Sequence, residues 1–163
     1  MWTSNRSIAA LVLASALVLL IFGLFPSLDL RSSGEFYNGS VFAVDKVEWI
    51  SQLRYAVWDA SIAMPLVALA LWLLTLVLKR SIILGPRVWG YILLLFLLGP
   101  GLLVNAGFKA YWGRARPYSV TDFGGTLSFS PAYQISDQCS HNCSFVSGEG
   151  AGSMALAIAI LMI

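Results

Sequence analysis

The sequence contains little charge. Of its 163 residues, 11% are charged and 58% are hydrophobic, whereas a soluble domain carries roughly 25% charged residues. Too few polar side chains are present to cover a surface that faces water. The formal net charge of +2 is too small to indicate a nucleic-acid partner. These shortages exclude an ordinary soluble domain and direct attention to the long apolar runs.

Four apolar runs predict an all-α, integral membrane helical bundle. We expect about four transmembrane helices in a single domain covering residues 1–163, at about residues 8–25, 57–78, 88–106 and 148–163. The first run also resembles a secretory signal, because Arg6 precedes it. However, it exceeds the usual apolar core of about 7–15 residues and no small-x-small cleavage site follows it, which favours a retained helix.

The cations between the runs predict the orientation of the chain. Lys79, Arg80 and Arg87 lie in the short segment between the second and third runs. Short loops rich in Lys and Arg are cytoplasmic. The N-terminus is then cytoplasmic as well, and the loops at residues 27–56 and 108–147 lie outside.

Part of the first outer loop has apolar residues at helical spacing, between residues 47 and 57. This pattern predicts either a short helix on the membrane surface or an extension of the second span. In the first case Trp49, Tyr55 and Trp58 would be interfacial anchors. Both interpretations remain open at this point.

Cysteine and histidine are scarce, and the few present fall together in the second outer loop. Cys139 and Cys143 flank the only histidine, His141. An oxidising compartment would permit a disulfide between the two cysteines. Free thiols and a metal site are the alternatives, but three ligands within five residues lack a fourth partner and give poor tetrahedral geometry. The sequence therefore favours a disulfide and predicts no metal.

Three cations follow the third span, in the stretch NAGFKAYWGRARPYS at residues 105–119. On a continuing helix Lys109 and Arg116 would lie two turns apart on one face, while Arg114 would point elsewhere. Pro117 would then end the helix. A lysine point charge and an arginine fork together suit a phosphate. Ordinary anchors that reach toward the interface are the competing interpretation.

A second motif, CSFVSGEGAGS at residues 143–153, begins the fourth run. The first N–H groups of a helix are unpaired and its dipole is positive there, so an anion can bind. We expect Ser147 to cap this helix or to donate to a phosphate. We expect Glu149 to be buried near the membrane edge and to act as a proton donor. A glycine-rich helix start with a favourable first-turn glutamate is the alternative.

These two motifs resemble a known family. Lys109, six intervening residues, and then Arg116–Pro117 resemble the first signature of the type 2 phosphatidic acid phosphatases, the membrane branch of the vanadium haloperoxidase superfamily. The sequence Val146-Ser147-Gly148-Glu149 resembles the second signature, which normally reads Pro-Ser-Gly-His. The resemblance covers roughly residues 57–163.

The resemblance implies a six-helix bundle that removes phosphate from lipid phosphates or polyprenyl diphosphates without a metal or other cofactor. Lys109, Arg116, Ser147 and Gly148 would bind the phosphate, and Glu149 would replace the usual histidine as proton donor. The partners would be a lipid phosphate substrate and membrane lipids. The implied location is a bacterial inner membrane with the site facing the periplasm. Neither the lipid nor the oligomeric state follows from the sequence.

A third signature of the family supplies an arginine, the nucleophilic histidine and its orienting aspartate. No residues here match it, because His141 precedes the second signature and has no aspartate at the required spacing. The run from Ser147 to Ile163 would also be only about 25 Å long as a helix, against about 30 Å of hydrocarbon. We therefore expect the N-terminal part of a longer phosphatase. There are two alternatives. One is a non-catalytic remnant that at most binds phosphate, and the other is a small membrane protein with anchoring cations.

Overall fold

The structure, a computed structural model, describes residues 2–43 and 47–163, with side chains from Ala9 onward. The predicted orientation depends partly on Arg6, whose side chain lies outside the described part. The helices of the described part are α1 (Trp2–Leu24), α2 (Ser27–Gly34), α3 (Glu48–Leu78), α4 (Pro86–Tyr111) and α5 (Gly148–Met162). The predicted all-α membrane bundle is confirmed.

Two of these helices, α3 and α4, are long and apolar enough to cross a membrane by themselves. The helices α1 and α2 meet at an angle of 94°, next to Pro26, whose missing N–H cannot continue a helix. Together they count as at most one further span. The helix α5 is apolar but has only 15 residues. The total of four spans therefore stays a prediction.

The second span begins earlier than its apolar run. The helix α3 continues without a break from Glu48 to Leu78, so the interpretation of residues 47–57 as a separate surface helix is wrong and the extension is observed. Pro65 lies inside it, and such prolines are tolerated in membrane helices because neighbouring groups satisfy the freed carbonyl. The helix ends where Lys79 adopts a left-handed backbone with φ of 50°.

The third span is a composite helix. It is α-helical over Pro86–Phe96, π-helical over Leu97–Phe108, and closes with one α-helical turn at Lys109–Tyr111. Pro86 stands at its first position, where a missing N–H costs nothing. Pro100 lies in the π-helical stretch, and its missing N–H interrupts the regular hydrogen-bond ladder there.

The core forms where α3, α4 and α5 meet. Its buried members are Ala68, Trp89, Ile92, Phe96, Ala155 and Ala159. Small residues let the helices approach closely: a Cβ on Gly152 would lie 3.4 Å from the side chain of Ser61. Large apolar side chains on the outer faces stay exposed, for example Val77 at 75%, as expected of a surface that faces lipid.

The two loops predicted to lie outside pack against each other at one end of the bundle. Arg114 forms an ion pair with Asp29. The hydroxyl of Tyr133 also donates to the carbonyl of Gly23, near the end of α1, at 3.1 Å. Three aromatic rings from both loops have centroids 5.2–5.4 Å apart: Tyr37, Phe42 and Phe123. We call this the loop end, and the opposite end, at the turn of residues 79–85, the turn end.

Candidate functional site

The cations Lys109 and Arg116 do not share a helix face, so that prediction is wrong. The helix ends at Tyr111, before Pro117, because the chain turns at Gly113. This glycine has φ of 70°, and a Cβ on it would lie 1.6 Å from the carbonyl oxygen of Ser136. Only glycine fits such a close approach. Arg116 follows in extended backbone.

A loop contact brings the two cations together instead. The ammonium of Lys109 donates to Oδ1 of Asn142 at 3.3 Å. Nε and Nη2 of Arg116 donate to the backbone carbonyl of the same residue at 3.1 and 3.0 Å. Asn142 has φ of 52°, a left-handed conformation that asparagine tolerates better than most residues. The disulfide that joins Cys139 to Cys143 encloses it. Sequence reasoning missed Asn142, although it lies inside the cysteine motif.

The second motif runs beside the first through backbone hydrogen bonds. The N–H of Cys143 donates to the carbonyl of Lys109 at 3.2 Å, and that of Ser144 donates to the carbonyl of Arg114 at 2.9 Å. The ring of Phe145 then stacks on Trp112 with centroids 4.6 Å apart. These contacts position the start of α5 next to the end of α4.

The middle cation, Arg114, is a structural residue. It is 9% exposed, and its Nε donates to the carbonyl of Ser130 at 2.9 Å. Nη1 donates to the hydroxyl of Ser144 at 3.2 Å, while Nη2 meets the carboxylate of Asp29. A buried guanidinium with all these partners joins three segments of the loop end. The sequence prediction that Arg114 points away from the other two cations assumed a continuing helix, whereas the helix ends at Tyr111.

The start of α5 is capped and lies against Lys109. The hydroxyl of Ser147 accepts a hydrogen bond from the N–H of Gly150 at 3.0 Å, so its own proton can be donated elsewhere. Gly148 is buried, and a Cβ on it would lie 3.0 Å from the ammonium nitrogen of Lys109. Glycine therefore lets the ammonium reach the helix start. The N–H groups of Gly148 and Glu149 have no partner within the helix.

Glu149 is not buried as predicted. Its side chain is 55% accessible, and Oε1 lies 3.9 Å from Nε of Arg54 on α3. The carboxylate lies beside Arg54 of α3 and outside the buried core. Sequence reasoning missed Arg54. The available signal was that Arg54 is the only Lys or Arg within Glu48–Leu78.

Residues of both motifs line one cleft of about 330 Å³, which we call the cationic cleft. All five residues predicted to bind phosphate or to donate a proton line it: Lys109, Arg116, Ser147, Gly148 and Glu149. Its volume lies at the lower end of the range for ligand sites, about 300–1,000 Å³. Within the described residues, no group of three His, Cys, Asp or Glu side chains can hold a metal ion. Cations and free N–H groups are the chemistry that suits an anion.

The fold and the cleft define an integral membrane protein with paired cations at one end of its bundle. Residues 87–163 match the PAP2 superfamily, a stretch that contains both signature motifs. This match, over the last 77 of the 163 residues, supports the membrane branch of the type 2 phosphatases. The sequence resemblance is thereby confirmed. No solved structure matches the chain.

Three curated relatives have the same name, lipid A 4'-phosphatase. The protein of Francisella tularensis subsp. novicida is 34% identical over 134 residues, which cover 81% of this chain and 60% of the relative. Those of Rhizobium leguminosarum and Rhizobium etli are each 46% identical over 67 residues, or 41% of this chain, and 29% and 26% of the relatives. The chain thus spans at most 60% of the length of these relatives.

Proposed function

We propose that this chain binds the phosphate group of a membrane lipid in the cationic cleft, as part of a phosphatase that hydrolyses the phosphate ester. The observation that carries the proposal is the convergence of Lys109, Arg116 and the start of α5 on a single cleft. The names of the relatives support a lipid phosphate as substrate, with the phosphate of lipid A as the first candidate. The bilayer in question is a bacterial inner membrane, with the loop end in the periplasm and the N-terminus in the cytoplasm.

Each group in the cleft has a separate task in the proposal. Lys109 supplies a point charge, and Arg116 supplies two parallel N–H donors. The hydroxyl of Ser147 and the first N–H groups of α5, beginning at Gly148, bind the remaining phosphate oxygens. Donors fixed before the reaction stabilise the charge that spreads over the transferring phosphoryl group.

Glu149 is the proton donor for the leaving group in this proposal. Its carboxylate lines the cleft and lies 3.9 Å from Arg54. A carboxyl group at this position can donate a proton to the leaving oxygen. The exposed position of the carboxylate allows exchange of that proton with solvent.

The nucleophile is the part of the reaction that these residues do not supply. The family resemblance implies a histidine, and the sequence has only His141, which is absent from the lining of the cationic cleft. This observation favours a second candidate function: a non-catalytic membrane protein that binds phosphate. In the first candidate, the nucleophilic histidine belongs to residues outside these 163.

A measurement of phosphate binding tests the claim that both candidate functions share, namely that the cationic cleft binds phosphate. The chain in detergent micelles is titrated with inorganic phosphate, and binding is measured by calorimetry. A lost charge-assisted hydrogen bond is worth about 1.5–3 kcal/mol, so Lys109→Ala and Arg116→Ala should each weaken binding about tenfold or more. The matched controls Lys79→Ala and Arg87→Ala, at the turn end, should leave binding unchanged. Equal losses in all four variants would refute the site.

Phosphate release separates the two candidates. Membranes from cells that express the protein from its native gene are supplied with phosphorylated lipid A, and the released phosphate is measured. The phosphatase predicts release that Arg116→Ala abolishes. The non-catalytic candidate predicts binding without release. Release that is unaffected by Arg116→Ala would contradict both.

A further inference from the structure

A groove between α3 and α4 opens at the turn end of the bundle, away from both signature motifs. It has a volume of about 290 Å³ and is lined by Trp72, Pro86, Arg87, Gly90, Tyr91 and Leu94. The last four of these recur at helical spacing, so they lie on one face of α4. Its walls are mostly apolar, and Arg87 is the charged member of the lining. We call it the turn-end groove.

Gly90 leaves the space for this groove beside Trp72. A Cβ on Gly90 would lie 3.7 Å from Nε1 of Trp72, so the indole nitrogen faces the bare backbone of α4. A larger side chain at residue 90 would occupy the groove. Tyr91 and Leu94, which also line it, are 63% and 49% exposed. The groove is therefore open to the surroundings of the bundle.

The indole N–H of Trp72 is a hydrogen-bond donor in need of an acceptor. Trp72 packs partly buried against the core, but among the described residues no group accepts from its Nε1. The indoles of Trp89 and Trp112, by contrast, donate to backbone carbonyls at 3.2 and 2.7 Å. A buried indole N–H usually has such a partner, and hydrocarbon cannot supply one. A suitable occupant of the groove therefore has an acceptor at the depth of Trp72.

The charge around the mouth of the groove is positive. Arg87 lines it, and Lys79 and Arg80 belong to the same turn between α3 and α4. Within the described structure, these three side chains make no hydrogen bond or ion pair. The sequence contains no Asp or Glu between Asp59 and Asp122. A cationic mouth beside an apolar groove suits an anion that has a hydrocarbon tail.

The spacing of the two donors matches a glycerophospholipid. Gly90, which marks the level of Trp72, lies three residues deeper along α4 than Arg87, or about 4.5 Å at 1.5 Å per residue. In a glycerophospholipid, a glycerol unit of comparable length separates the phosphate from the ester carbonyls. The phosphate can thus accept from Arg87 while an ester carbonyl accepts from Trp72. The acyl chain then extends along Leu94.

We propose that the turn-end groove binds one anionic glycerophospholipid, with its phosphate at Arg87 and an acyl chain beside Leu94. The bound lipid joins α3 to α4 at the end remote from the cationic cleft. The predicted cytoplasmic position of this end supports the proposal, because the cytoplasmic leaflet contains anionic lipids. Free phosphate has no acyl chain to place in the groove, which distinguishes this site from the cationic cleft. The inference does not depend on phosphate binding in that cleft.

The test compares two lipids with identical oleoyl chains, added to the chain in neutral detergent micelles. Phosphatidylglycerol is anionic, whereas phosphatidylcholine has no net charge, and native mass spectrometry counts the molecules that the protein retains. One phosphatidylglycerol should bind about tenfold more tightly than phosphatidylcholine, because the guanidinium of Arg87 contacts an uncompensated phosphate. Arg87→Gln should remove most of this preference. Trp72→Phe should weaken binding of both lipids about threefold, since both carry the ester carbonyl. Gly90→Leu should abolish retention by filling the groove.

Matched variants outside the groove control for general effects. Arg80→Gln, in the same turn, and Gly99→Leu in α4, where a Cβ meets nothing within 4 Å, should keep most of the preference. Circular dichroism checks the helix content of every variant. Equal retention of the two lipids, a preference that survives Arg87→Gln, or binding that survives Gly90→Leu would overturn the site. Loss of the lipid in Lys109→Ala would place it in the cationic cleft instead, and a lipid-free dimer would show that a second copy covers the groove.

Discussion

Both ends of the bundle carry cations near helix ends, but in different surroundings. At the turn end, Lys79, Arg80 and Arg87 make no hydrogen bond or ion pair through their side chains within the described structure. At the loop end, Lys109 and Arg116 both donate to Asn142. The turn-end cations have the arrangement of interfacial anchors, whose long side chains extend toward polar surroundings.

The difference teaches that position along a helix does not identify a ligand-binding cation. The sequence pattern at both ends is the same, namely basic residues beside an apolar run. The partners distinguish the two ends, because only at the loop end do loop contacts hold two cations on one cleft. Substitutions at the two ends therefore test whether the distinction has functional meaning.

The largest expected effect is on stability, from Arg114→Ala. This change leaves the carboxylate of Asp29 without its partner in a largely buried position, a situation that costs about 3–5 kcal/mol. The control Arg87→Ala at the turn end should change the free energy of unfolding by less than about 0.5 kcal/mol. Unfolding in detergent, followed by circular dichroism, measures both. Similar effects of the two variants would contradict the structural role of Arg114.

The second-largest expected effect is a loss of phosphate affinity in Gly148→Ala. The added Cβ would lie 3.0 Å from the ammonium nitrogen of Lys109. The flexible lysine can move away, so folding should be retained while phosphate binding falls about tenfold through the displaced charge. The control is Gly99→Ala in α4, where a Cβ meets nothing within 4 Å. Titration with phosphate measures both variants, and unchanged affinity in Gly148→Ala would count against the site.

A smaller effect is expected from Asn142→Gly. This variant keeps the backbone carbonyl that contacts Arg116 and tolerates the left-handed φ. It removes only the side-chain acceptor of Lys109. Phosphate binding should weaken about threefold because the lysine is less preorganised. Ser128→Gly in the same segment is the control. Tighter binding in Asn142→Gly would mean that Asn142 competes with the ligand instead of orienting Lys109.

The smallest effect concerns the ion pair of Arg54 with Glu149. Both side chains are substantially exposed, at 43% and 55%, so their interaction should contribute about 1 kcal/mol or less to the free energy of unfolding. A double-mutant cycle with Arg54→Gln and Glu149→Gln isolates this pair from the other contacts of Arg54. The coupling energy should shrink at high salt. A coupling that is large and insensitive to salt would indicate a buried pair.

The sequence was sufficient for the fold class, the family and five of the residues that line the cationic cleft. The fold class, the family and these residues can be predicted because they depend on local signals, namely apolar runs and the spacing of motifs. The end of α4 at Tyr111 depends instead on the contact of Gly113 with Ser136, far along the chain. The same limit applies to Asn142 and Arg54, whose roles arise from contacts between distant segments. Local periodicity contains no information on such contacts.

The most direct test of the central claim follows the side-chain nitrogens of Arg and Lys by NMR while inorganic phosphate is added. We predict that the signals of Lys109 and Arg116 shift together and saturate. Those of Arg114, buried at the same end, and of Arg87, at the turn end, should stay in place. Shifts of Arg87 as large as those of Arg116 would show unspecific attraction of phosphate to basic residues and would contradict the account.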